Sequence, residues 1–115
     1  MDDRNARIVA KIIGHTERIL DYCEGIDEAS FMADSKLVDA CVFNLIQIGE
    51  LAGIVDDVFS EKHDNIAWRK MRGLRNRIVH DYEGIDLRLI WDIVTGDKGG
   101  LSELLKQLTE LRDEL

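Results

Sequence analysis

The 115-residue chain contains no proline, and it has no apolar run of the roughly 20 residues that a membrane-crossing helix needs. Without proline, nothing punctuates strands and turns in the way a β-sandwich requires. The expectation is an all-α protein. The N-terminus opens with Met1, Asp2, Asp3 and Arg4, where a signal peptide would carry an apolar core. The two cysteines, Cys23 and Cys41, are far apart in sequence and have no Cys-x-x-Cys or Cys/His spacing that would hold zinc. A cytoplasmic protein with both thiols reduced, no bound metal and no cofactor is expected. Ser30, Ser35, Ser60 and Ser102 lack the Gly-x-Ser-x-Gly context of a serine nucleophile. Gly99-Gly100 is an isolated pair, too little for a phosphate-cradling loop.

What is present is a chain 45% hydrophobic and 33% charged, a balance that excludes a long disordered tract. Its length suits one domain, residues 1–115, around one core. Acids outnumber bases 23 to 15, for a formal charge of −8, which alone argues against a nucleic-acid or anionic-membrane binder. The distribution of charge reopens the case for nucleic acid. Between Ile66 and His80 stand five bases (Arg69, Lys70, Arg72, Arg75, Arg77) and no acid, so this stretch carries +5 and the remainder −8 − 5 = −13.

Apolar residues at three- and four-residue steps from Ala6 to Ile26 describe a first amphipathic helix ending near Gly25. Asp34 or Ser35 can cap a second helix running to about Phe59. Leu37, Cys41, Ile48, Ala52, Val55 and Phe59 form one stripe of it, and Val38, Val42, Leu45, Ile46, Leu51, Ile54 and Val58 make most of the remaining circumference apolar. A helix apolar nearly all round is buried on more than one side. In a chain this short that suggests a homodimer with the second helix near its interface; the alternative is the central helix of a monomeric bundle. Asn44, Gln47 and Glu50 interrupt this surface and are expected in a hydrogen-bonded seam or facing a cleft. A third helix starts near Asn65 or Ile66. A fourth follows an Asp86 cap, Thr95 to Gly100 is a break, and a leucine-striped last helix closes an antiparallel up-and-down bundle of four to five helices.

At 100° per residue, Met71, Leu74 and Ile78 share the core side of the third helix. Arg72, Arg75, Asn76, Val79 and His80 lie on the other side, with Arg75 and His80 about 140° apart. They cannot easily meet on one straight helix. Across a two-fold axis, Arg75 of one chain can approach His80 of the other. His15 and His63 have no partner spacing for metal or nucleophile, and Trp68 and Trp91 suit helix packing or an interface better than base stacking.

The run Arg75-Asn76-Arg77-Ile78-Val79-His80-Asp81-Tyr82 resembles the Arg-x4-His-x-Tyr motif of the HEPN domains, most closely that of the HepT-type toxins. The likeness extends to chain length, helical pattern, the Gly49-Glu50 pair on the apolar second helix, and Asp86 and Trp91 after the motif. Thr95 to Gly100 departs from it, because many relatives have a proline-containing turn there. The resemblance implies a toxin that cleaves RNA without metal, paired with a nucleotidyltransferase-like antitoxin that attaches AMP to a tyrosine matching Tyr82. The expected partners are RNA, that antitoxin and a second copy of the chain, with any higher assembly through the antitoxin left open.

The chemistry suits those roles. Imidazole titrates near pH 6.5, so His80 can accept a proton from a ribose 2′-hydroxyl at neutral pH. Arg75, always charged and bidentate, can stabilise the phosphorane that forms when that oxygen attacks phosphorus. Asn76 and Arg72 can support, by hydrogen bonding and by charge. An alternative of another class is a non-catalytic HEPN-like subunit that holds substrate or nucleotide for a nucleotidyltransferase. In the plainest reading, His80 merely caps a helix end and the arginines are solvated surface.

Overall fold

The structure, a computed structural model, describes residues 3–96 and 100–115. Among these it is all-α, with seven helices: α1 (Asp3–Cys23), α2 (Glu28–Ala33), α3 (Ser35–Ala52), α4 (Asp57–Lys62), α5 (Trp68–His80), α6 (Leu87–Thr95) and α7 (Gly100–Glu114). The five longer helices are those expected from the periodicity. The short α2 and α4 are additional to that expectation. No helix among the described residues is long and apolar enough to cross a membrane.

Local chemistry sets the boundaries. α1 stops where Gly25 adopts a φ of 72°, a left-handed conformation that favours glycine. Asp27 then caps α2 by accepting from the Ser30 N–H at 2.8 Å, a bond that holds its carboxyl below the usual carboxylate range. Asp34 caps α3 through the Leu37 N–H, and Asp86 caps α6 through that of Arg88. The apolar pattern does continue to Phe59, but α3 ends at Ala52. The chain turns there because Asp56 is tied to the start of α1: its carboxylate accepts from Arg4 at 3.1 Å and Asn5 at 3.2 Å, and its N–H reaches Asn5 Oδ1. The third expected helix starts at Trp68, two or three residues late, because the Trp68 N–H bonds Ile66 O and its Nε1–H bonds His63 O. The break after Thr95 is partly visible, since α6 ends at that residue and α7 begins at Gly100. Residues 97–99 of that break lie outside the described residues.

α3 is the central helix, packed between α1 and α5 and touched by α2, while α7 lies on α1 and α6. Elements of the same chain cover α3 on more than one side, so its all-round apolar character does not itself require a second copy. Asn44, 3% exposed, receives the Nδ1–H of His15 at 2.8 Å and donates to Ala40 O, which satisfies the polar seam expected there. Phe31 is fully buried and packs on Trp91, ring centroids 5.0 Å apart. Far apart in sequence, Cys23 and Cys41 meet in the core as free thiols with Sγ atoms 3.5 Å apart; burial pushes both up, Cys41 to about 12.

Candidate active site

The antiparallel pair α3 and α5 builds the site, and a glycine sets their distance. A Cβ at Gly49 would overlap Arg75 Cβ and stand 2.7 Å from Met71 O, so only glycine admits this approach. The close contact puts the next residue, Glu50, against Arg75. Glu50 Oε1 accepts from Arg75 Nε at 2.8 Å and lies 2.6 Å from Nη2, while Nη1 donates to Asn76 Oδ1 at 3.0 Å. Three of the five guanidinium N–H groups are thereby engaged, and two remain for an incoming oxyanion.

His80 is the last residue of α5 and is exposed. Its side chain makes no hydrogen bond or ion pair among the described residues, and Arg75 bonds elsewhere. The structure therefore bonds Arg75 to Asn76 and not to His80, as the separation of about 140° between Arg75 and His80 anticipated. Arg72 lies one turn before Arg75, its Cδ beside Gly53. Arg69, Lys70, Arg72 and Arg77 make no ion pair among the described residues, so α5 carries uncompensated positive charge around its surface, with Lys70 and Arg77 on the side away from Arg75 and Glu50. Met71 and Ile78 are buried as expected, and Leu74 is half-buried.

Beyond α5, the Tyr82 hydroxyl donates to Asp39 Oδ1 on α3 at 2.5 Å. That bond raises the tyrosine above its ordinary value, with smaller contributions from desolvation and the Asp39 charge. Tyr82 remains half exposed.

A family model, Ribonuclease HepT-like, matches residues 12–110. The chain belongs to the HepT-like ribonuclease family. Two relatives, each named "Putative RNase", come from Caldanaerobacter subterraneus subsp. tengcongensis (31% identical, covering 87% of each chain) and Methanocaldococcus jannaschii (34% identical, 75% of this chain and 79% of that one). A "Probable ribonuclease HepT" of Thermococcus cleftensis is 32% identical over 78% of this chain and 86% of its own. No solved structure matches.

Two features of this HepT-like face, Asp39 and Phe43, and the partner of a third, Glu50, are hidden in the sequence. Glu50 stands out there as a polar residue needing a partner, but only the α3–α5 register names the partner. Asp39 leaves no signal, because one acid on an exposed helix position looks like solvated surface. Phe43, 57% exposed, is masked by the apolar residues around it. Asp39, Phe43 and Glu50 recur at helical spacing along one stripe of α3. The register set by Tyr82 with Asp39 and Arg75 with Glu50 brings Phe43 level with Val79 and His80. Elsewhere, His63 packs on Phe59 and Trp68 is buried, as expected of residues outside the chemistry. A cavity of about 990 Å³, lined by Leu45, Met71, Leu74, Arg77, Ile93 and Leu104 among others, opens on the other side of α5.

Proposed function

We propose that this HepT-like protein is a metal-independent endoribonuclease and the toxin of a toxin–antitoxin pair, with a site shared between two copies of the chain. The observation that carries this reading is the state of the motif. Arg75 is held rigidly with two donors to spare, and His80, five residues on, is exposed and unengaged on another side of the same helix. A general base needs a reachable nitrogen, and a phosphorane needs a fixed cation. Joining Arg75 of one copy to His80 of the other supplies both at one phosphate.

The α3–α5 face supports such pairing. It carries Phe43 and Val79, 57% and 47% exposed, beside the charged residues of the site, and apolar side chains among polar ones are the ordinary composition of a protein interface. Val42, only 3% exposed, is a core residue and not a reporter of that contact; Val58, 78% exposed on α4, is at the surface.

In the reaction His80 takes the proton of a ribose 2′-hydroxyl and that oxygen attacks the adjacent phosphorus. Arg75 binds the non-bridging oxygens, with Asn76 fixing the guanidinium and Arg72 adding charge. The 5′-oxygen leaves and takes up a proton from solvent, while the 2′-oxygen's bond to phosphorus closes the 2′,3′-cyclic phosphate. Silencing proceeds by AMP transfer from a nucleotidyltransferase-like antitoxin to Tyr82, which sets a negative phosphate beside the face that attracts RNA.

The direct test is cleavage of RNA by the purified chain in excess chelator, with analysis of the new ends. Cleavage should persist and leave 2′,3′-cyclic phosphates, because the attacking oxygen belongs to the RNA. A strict requirement for a divalent ion at the cleavage step contradicts the mechanism.

A further inference from the structure

Tyr82 is flanked in sequence by Asp81 and Glu83, yet the acid that receives its hydroxyl is Asp39, 43 residues away on α3. The contact lies at the surface, with Tyr82 half exposed and Asp39 exposed. It also borders a cavity of about 330 Å³, lined by the apolar Met32, Val38, Ile78 and Leu87 among others, with Asp39, Tyr82 and Glu83 as its charged or polar edge. A nucleotide can therefore approach the oxygen, and its flat heterocycle has an apolar recess beside it.

We propose that Asp39 is the general base for nucleotidyl transfer to Tyr82, an inference that rests on the reading of Tyr82 as the modified residue. In the step, Tyr82 Oη forms a bond to the α-phosphorus of a nucleoside triphosphate and the bond from that phosphorus to the pyrophosphate leaving group breaks. The phenolic proton passes along the existing hydrogen bond to Asp39 Oδ1 and from there to solvent. The need for a base follows from the phenol itself. A tyrosine titrates near pH 10, and the bond to Asp39 raises this one further, so at neutral pH the hydroxyl is protonated and must lose its proton as the P–O bond forms. The product oxygen is an ester with no hydrogen to donate. The Asp39 contact is then replaced by a phosphate beside a carboxylate, which makes each turnover self-limiting at that oxygen.

The experiment uses the full chain, a nucleotidyltransferase-like protein of the antitoxin type, and ATP with magnesium, following intact mass with time for the wild type, Asp39→Asn, Asp39→Glu and Tyr82→Phe. Asparagine keeps a side-chain oxygen that can accept the same hydrogen bond but cannot take the proton, so a purely structural contact would survive it. The expected result is an adenylate adduct on wild type, none on Tyr82→Phe, and transfer slowed about 100-fold or more in Asp39→Asn. KM for ATP should be unchanged, with partial recovery in Asp39→Glu. Equal rates for wild type and Asp39→Asn overturn the role of Asp39 and leave the modification standing. No adduct on wild type overturns the modification itself, and the inference with it.

Discussion

Replacing His80 by alanine should lower RNA cleavage by roughly two to four orders of magnitude, the range for loss of a general acid or base, with the fold intact. The side chain is exposed at the end of α5 and holds no hydrogen bond among the described residues, so its removal leaves no buried group unpaired. What is lost structurally is a cation near a helix C-terminus, worth about 0.3–1 kcal/mol when the imidazole is charged. Activity and stability should therefore separate cleanly. Initial cleavage rates, read beside helical circular dichroism and urea unfolding, check this. A His80→Ala chain that cleaves within tenfold of wild type would return His80 to the role of a helix-end residue.

Gly49→Ala should do the opposite and damage stability and activity together. Alanine is normally preferred to glycine inside a helix by about 1 kcal/mol, and at Gly14 or Gly73, where nothing lies within 4 Å of an added Cβ, the exchange should stabilise by roughly 0.5–1 kcal/mol. At Gly49 the new methyl would overlap Arg75 Cβ and meet the Met71 carbonyl oxygen at 2.7 Å. Neither is the free end of a flexible side chain, so α3 and α5 must separate. Overpacking of this kind costs about 1–3 kcal/mol, and each kcal/mol lowers Tm by roughly 4–8 °C in a domain of about this size. Arg75 moves with α5, and a shift near 1 Å at a catalytic group can cost about 100-fold in rate. Thermal unfolding of the three alanine variants tests the sign at each position. A Gly49→Ala protein as stable as Gly14→Ala would show that the helices are not in contact there.

Periodicity locates the long helices because each has an apolar stripe facing a common core, and Gly25, Asp34 and Asp86 mark ends that the structure keeps. It fails where a boundary is imposed from elsewhere in the chain. The apolar pattern runs on through Gly53 to Phe59, and only Arg4 and Asn5 holding Asp56 turn the backbone there. α2 is six residues long, too short for a periodic signal. At the site, Arg75, Asn76, His80 and Tyr82 are legible as one local run with fixed spacing. Asp39 is not, and Glu50 is legible only without its partner, since each is joined to that run by the crossing of α3 with α5. For the same reason the sequence can raise pairing of chains through an all-apolar second helix, while the structure covers that helix with α1 and α5 and moves the case for pairing to Phe43 and Val79.

The shared site is tested most directly by mixing Arg75→Ala chains with His80→Ala chains, exchanging subunits, and measuring cleavage. Each homodimer should be inactive. A mixed dimer holds one intact site, made from Arg75 of one chain and His80 of the other, so random pairing should restore about a quarter of the wild-type rate. Adding Phe43→Glu to both chains should abolish that recovery by separating the copies. No recovery in a mixture shown to contain mixed dimers would place Arg75 and His80 in a site within one chain, contrary to this account.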